Sequence, residues 1–303
     1  MTLEPRQQHK GLSVIAIFFN MRREAPRTLY SLSRAYQEID PDQAYEVLVI
    51  DNGSSSPLSA SWVRSLGPEF CYHFIHSKNP SPCFALNHFV DEAQFDDVMI
   101  LIDGARILSP GIVRLTQLAL EAFDNPFVYT LGMHLGPRLQ NELVSVGHNR
   151  TAEDALLQTV AWKQNGYSLF TISSVALSSK RGFFSKLTES NCFALHKEDY
   201  REAGSYDARF IGPGGGLCNL EIFNRIHSFP WIEPIMLLGE ATFHQFHGGV
   251  ATNVRLEDHP WPVMEAEYAQ IVGEPYQTKF RPPQYLGSFR EECAHLYNVA
   301  GQA

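Results

Sequence analysis

The chain has 303 residues, 44% of them hydrophobic and 19% charged, enough to bury one large core. Its formal net charge is −9 and no basic run exceeds the pair Arg22-Arg23, so it lacks the positive footprint that nucleic acid or an anionic membrane surface requires. Five scattered cysteines without a Cys-x-x-Cys speak against a disulfide framework or a zinc knuckle and for a reducing cytoplasm. The polar first eleven residues do not read as a signal peptide, and the apolar run 14–19 is too short to span a bilayer.

In chain order, residues 13–19 form a β-branched and aromatic run ending at Asn20, followed by helical spacing over 27–37. Residues 45–50 are a second apolar strand that ends on Asp51-Asn52-Gly53-Ser54. A third strand is expected at 70–75, then Asn79-Pro80-Ser81-Pro82 and a helix over 84–93. Residues 98–102 are apolar without polar alternation, the pattern of a strand buried on both faces, and run into Asp103-Gly104-Ala105. Such alternation of strands and helices predicts right-handed crossovers and a mostly parallel central sheet flanked by helices.

A helix over 113–123 and a strand over 126–133 follow. Residues 144–146 and 171–177 look strand-like, with a helix near 151–162 between them. A strand at 190–195, a helical turn at 196–203, a glycine-rich loop at 211–217, a helix at 219–226 and a strand at 232–238 complete the pattern. The last strand leads into Gly239 and then His244-Gln245-Phe246-His247-Gly248-Gly249. From about residue 255 the composition turns to proline, aromatic and charged residues, which suggests an embracing arm or an oligomer contact. The expected division is a domain at 1–254, with a nucleotide-binding half at 11–110 and an acceptor half at 111–254, and an extension at 255–303.

Open α/β sheets bind ligands beyond the carboxyl ends of their strands, which makes Asp51 and Asp103 candidates by position, although each is equally compatible with a turn. Asp51 and Asn52 would suit a base and ribose. The glycine loop would offer free backbone N–H groups to an anion, or serve only as a turn. His244 and His247 could join a carboxylate in holding a divalent cation, or be ordinary core histidines. Glu221 is a candidate general base, or a solvated helix residue.

Taken together and in order, residues 13–20 with the 27–32 helix, 47–54, Asn79 through Ala85 with Asn87, Leu101-Ile102-Asp103, and Ala203-Gly204-Ser205-Tyr206-Asp207 ahead of the helix ending Asn224-Arg225 resemble a family 2 glycosyltransferase with the GT-A fold. The resemblance covers about residues 11–250. It implies sugar transfer from a UDP- or GDP-sugar to an acceptor such as a saccharide or small molecule, assisted by Mn²⁺ or Mg²⁺. Asp51 would hold the base, with Asn20, Asn52, Asn79 and Asn87 about the nucleotide. Asp103 stands first in an Asp-x-Asp motif near ribose and metal.

The chain departs from that pattern in two places. Ala105 replaces the second acid, leaving Arg106 to offset phosphate charge and His244 or His247 to complete the metal site. Leu217-Cys218-Asn219 replaces the acidic pair that carries the base in inverting relatives, leaving Glu221 nearest. A catalytically silent nucleotide-sugar binding protein of the same fold is the rival reading.

Overall fold

The computed structural model of the chain describes residues 10–297; the polar stretch before residue 10 and residues 298–303 of the arm lie outside the described residues. The strands are β1 (Leu12–Phe18), β2 (Tyr45–Asp51), β3 (Phe70–Phe74), β4 (Asp97–Leu101), β5 (Arg106–Leu108), β6 (Pro126–Leu135), β7 (Ser173–Val175), β8 (Cys192–His196), β9 (Glu233–His244) and β10 (Gln284–Gly287). They form one sheet in the order β10-β9-β6-β8-β4-β1-β2-β3, with β5 added to β9 and β7 to β6. Every residue of β1 is buried, as its largely apolar sequence requires of a strand covered on both faces, and the hydroxyl of Ser13, its one polar residue, donates to Glu46. Ile15 and Ile17 point into one core with Leu86, Phe89 and Phe223, while Val14, Ala16 and Phe18 point into the other with Leu29, Val113 and Leu120.

The sheet is mixed, not mostly parallel. β4-β1-β2-β3 and β6-β9-β10 pair in parallel, but β8 runs antiparallel between β4 and β6, and β5 and β7 pair antiparallel with β9 and β6. The helical crossovers anticipated for the first hundred residues are present. Beyond β6 the chain instead makes a long excursion over residues 136–191, and a strand returning from such a loop is free to enter in either direction.

Other differences are local. Helix Ala25–Ser31 stops short of residue 37 because Gln37 leaves to donate to Ser31 O and Ser109 O. Residues 144–146 close helix Gln140–Val144 and the turn after it instead of forming a strand. Residues 171–172 end the 3-10 helix Gly166–Ile172, and the strand expected at 171–177 is confined to the brief β7. β9 does not end at Leu238: Gly239 adopts φ +81° where a side chain would strike Ser288 O, and past this irregularity the strand resumes to His244.

The arm wraps its own domain. Helix Trp261–Val272 packs beside the glycine loop, Arg281 N donates to His227 Nδ1 at 3.3 Å, and β10 lies in parallel along β9. Arg290 stacks over the Tyr167 ring at 3.5 Å and approaches the fully buried Glu240, which accepts from Ser109 Oγ, Gly111 N and Tyr167 Oη. No helix among the described residues is long and apolar enough to cross a membrane.

His227 is enclosed by Phe127, Tyr129, Phe223 and Phe280, and burial, reinforced by Arg281, pushes its pKa down to about 3. The unfolded chain therefore holds a proton between about pH 6.5 and 3 that the folded chain does not, so stability is lost as pH falls through that window, by at most roughly 1.4 kcal/mol per pH unit for this one group. Urea midpoints measured from pH 7 to 4 should fall less steeply for His227→Leu than for the unaltered chain; parallel slopes would remove His227 from the acid sensitivity.

Candidate functional site

A cavity of about 1110 Å³ opens beyond the carboxyl ends of β1 and β4, and Asp103, Arg106, His134, Glu189, His244 and His247 all reach it. Asp103 sits two residues past β4, on a loop fixed by its glycine: Gly104 N donates to Ile17 O at 2.8 Å and Gly104 O accepts from Thr28 Oγ1 at 2.6 Å. A Cβ at Gly104 would lie 2.4 Å from the Phe18 ring, so the close approach needs glycine. Ala105 follows fully buried in the apolar core; a carboxylate at that position would be desolvated and would not face the cavity.

The next three residues form β5, whose register on β9 sets Arg106 directly opposite His244. Asp103 thereby meets both. Its Oδ2 lies 3.1 Å from His244 Nε2 and 3.3 Å from Arg106 Nε, and its Oδ1 lies 3.9 Å from His247 Nε2. The two imidazoles face each other with Nε2 atoms 3.1 Å apart. One ligand atom from each of Asp103, His244 and His247 falls within 4.8 Å of the others. Ligands at about 2.1 Å from a cation and at right angles to one another stand about 3 Å apart, which suits His244 with Asp103 and His244 with His247, whereas the 3.9 Å between Asp103 and His247 is wider than adjacent octahedral positions require.

The protonation of His244 follows from its neighbours. Gln140 Nε2 donates to His244 O at 3.0 Å and to Leu135 O at 3.4 Å, which turns Gln140 Oε1 toward His244 Nδ1 at 2.7 Å and Asn253 Nδ2 at 2.9 Å. Nδ1 must therefore carry the proton, and Nε2 presents its lone pair to the cavity. Burial pushes His244 down to about 4, partly offset by Asp103. Burial and the adjacent His244 and Arg106 likewise hold His134 well below the histidine range. For Asp103, burial works against ionisation, but the two imidazoles, when protonated, and the permanently charged Arg106 outweigh it and hold the carboxyl well below the usual range. At neutral pH the group is thus a carboxylate with a buried guanidinium beside uncharged His244, a donor set ready for a cation.

The segment bearing His247 is pinned from two sides. Asn253 Oδ1 accepts from the backbone N–H groups of His247, Gly248 and Gly249 at 3.0, 2.8 and 3.1 Å. Arg150 donates to His247 O at 2.8 Å, Arg23 donates to Phe246 O at 3.1 Å, and the buried Glu153 accepts from Phe246 N. His244 accordingly lies at a strand end and His247 in a braced turn.

The other sequence candidates divide. Asn20, in the left-handed region at φ +55°, and Asn52 line the cavity; the side-chain oxygen of Asn20 also accepts from Ser55 N and Ser56 N. Asp51 is fully buried and accepts from Ser54 N, Leu58 N and Tyr72 Oη, which is the work of a turn. Asn79 caps Ser81 N, and Asn87 is spent on Tyr200 Oη and both backbone groups of Tyr206; neither is among the cavity residues. Glu221 is held in a two-pronged pair by Arg225 at 2.7 and 2.8 Å and does not line the cavity.

The glycine loop does not keep its amides free: Ile211 N and Gly212 N both donate to Glu267 Oε1 of helix Trp261–Val272, and Gly214 N donates to Pro80 O. The protein supplies its own anion there. Glu189 and Gln140, which matter to this site, were not singled out in the sequence. Glu189 precedes an apolar strand, in Thr188-Glu189-Ser190-Asn191, and that polar-to-apolar edge is the signal available for it.

No family model and no curated protein matches this chain. Solved structures of residues 1–349 of S. aureus TarS do share its fold. The complex with UDP superposes with a TM-score of 0.52 at 11% identity, over 88% of this chain and 67% of that one. The complex with UDP-GlcNAc gives 0.51 at 10% identity over 79% and 60%, and the form without a named ligand gives 0.50 at 10% over 78% and 60%. This chain thus spans 60% of the length of two of these structures. At such identities the likeness is one of fold, a glycosyltransferase fold with a mixed sheet, and it does not extend to membership of family 2.

The bracing of His244 has a measurable consequence. Gln140→Ala removes the acceptor that sets the His244 tautomer, and it should weaken Mn²⁺ binding by about 10- to 100-fold in calorimetry while the chain stays folded. Unchanged affinity would show that His244 needs no such orientation or is not a ligand.

Proposed function

We propose that this chain is a glycosyltransferase that takes a sugar from a UDP-sugar, with a divalent cation at Asp103, His244 and His247. The observation that carries the reading is the convergence of that carboxylate, those two imidazoles and the buried Arg106 at the ligand-binding edge of the sheet. The UDP and UDP-GlcNAc complexes of the similarly folded TarS support uridine in preference to guanosine. Asn20, Asn52 and the Pro80 and Pro82 side chains border the end of the cavity suited to the nucleoside, and Asp51 holds the adjoining turn in shape.

Two nitrogen donors with one oxygen favour Mn²⁺ or a later transition ion over Mg²⁺, which prefers oxygen alone. A cation bound there supplies positive charge for the departing diphosphate. Arg106 adds a fixed charge of the same sign, buried where the dielectric is low and its effect is large. Residues 176–178, the glycine loop and helix Trp261–Val272 form the remaining wall, where an acceptor would approach. The silent-binder reading is favoured by two observations, the burial of Ala105 and the amide at Asn219.

Calorimetry decides the first step. UDP should bind with Mn²⁺ present and at least tenfold more weakly with chelator, and Asp103→Asn should abolish the difference. No UDP binding under either condition would overturn the proposal, and binding without turnover of any UDP-sugar would leave the silent binder.

A further inference from the structure

Besides Asp103 the cavity holds the carboxylates of Glu189 and Glu257, and Glu257 is paired with Arg255. Glu189 lies in the segment that leads into β8, and because β8 is antiparallel to β4 this segment emerges at the same edge of the sheet as Asp103. Its Oε2 accepts from Asn219 Nδ2 at 2.7 Å. The orientation of that amide is forced: Asn219 Oδ1 accepts from Tyr206 Oη at 2.9 Å, and Nδ2 donates also to Ser190 O at 3.1 Å. Asn219 lies near the start of helix Cys218–Ser228, within the stretch where the resembling family carries its acidic pair. An aspartate at 219 would bring two carboxylates to hydrogen-bond distance, whereas the amide converts that repulsion into a donor for Glu189. The acid missing from the helix is thus present across the hydrogen bond, on the neighbouring segment. Burial pushes the Glu189 carboxyl up, with Asn219 and Arg106 pulling it back, as suits a group that must take a proton.

We infer that Glu189 is the general base of the transfer, an inference that rests on the glycosyltransferase reading above. The acceptor hydroxyl oxygen bonds to the anomeric carbon and its proton passes to the Glu189 carboxylate. The bond from the anomeric carbon to the diphosphate oxygen breaks, and its electron pair leaves on the diphosphate, beside Asp103 and Arg106. A direct displacement of this kind, with attack from the face opposite the departing diphosphate, inverts the configuration. Glu221, fully engaged by Arg225, has no part in the step.

Water serves as the acceptor in the test. With Mn²⁺, the full chain should hydrolyse UDP-GlcNAc, releasing the β anomer first from the α-linked donor by NMR. Glu189→Gln should slow hydrolysis by about 10²- to 10⁴-fold with UDP affinity within about twofold, and Glu189→Asp should retain part of the rate. Adding Asn219→Asp to Glu189→Gln, which returns the acid to the helix, should recover at least about tenfold. Undiminished hydrolysis by Glu189→Gln, loss of UDP binding in parallel with activity, or UDP binding without hydrolysis by the unaltered chain would each overturn the assignment of the base. Absence of UDP binding by the unaltered chain would instead bring down the transfer reading itself.

Discussion

The antiparallel pairing of β5 with the end of β9 is the contact on which the site depends. Three residues of β5 are enough to set Arg106 opposite His244 and to carry the loop before it, with Asp103, against the same imidazole. Residues more than 130 positions apart in sequence become a single ligand group through that register. Gln245 continues the grip, since its backbone N–H donates to Ala105 O and its side chain to Glu24 O and Thr28 Oγ1. Cross-strand neighbours in an antiparallel pair sit about 5 Å apart, and no looser connection would hold a carboxylate and a histidine to ligand spacing.

The charge balance of the site follows from its burial. With His244 driven neutral and Asp103 kept ionised beside the buried Arg106, the unliganded group carries little net charge. The second acid of an Asp-x-Asp motif has no place in this arrangement: at residue 105 the backbone turns the side chain into the core, and the second and third donors come from β9 and the turn after it. A similar substitution occurs elsewhere in the cavity wall, where Asn219 and Glu189 share one carboxylate across a hydrogen bond.

The arm after residue 254 is part of the same construction. β10 extends the sheet beside β9, Arg290 closes over Tyr167 and Glu240, and Glu267 occupies the amides of the glycine loop. Trp261 and Met264 of its helix border the cavity, so the segment that is compositionally least like the rest of the chain contributes directly to the wall of the site.

What was legible in the sequence was whatever depends on neighbours along the chain. The short apolar runs within β1, β2 and β4 read as strands buried on both faces, helix Ile112–Ala122 followed from its spacing, and the carboxylate of Asp103 at the edge of the sheet followed from its place after β4. The candidates Asp103, Arg106, His244 and His247 do meet in one cavity. Strand direction was not legible, because an apolar run reads the same whether its neighbour is parallel or antiparallel. That ambiguity hid the reversed β8, and with it Glu189, which enters the crevice from the amino end of a strand where a parallel sheet would place only carboxyl ends. β5 was too short to carry a pattern, and the engagement of Asn87 by Tyr200 and Tyr206, more than a hundred residues away, was hidden too; the Glu221–Arg225 pair, four residues apart on one helix, was there to be read. Local sequence determined which segments are strands and which residues carry charge; tertiary structure alone decided which charges meet, because hydrogen-bond register and burial are set by residues that the chain brings together only when it folds.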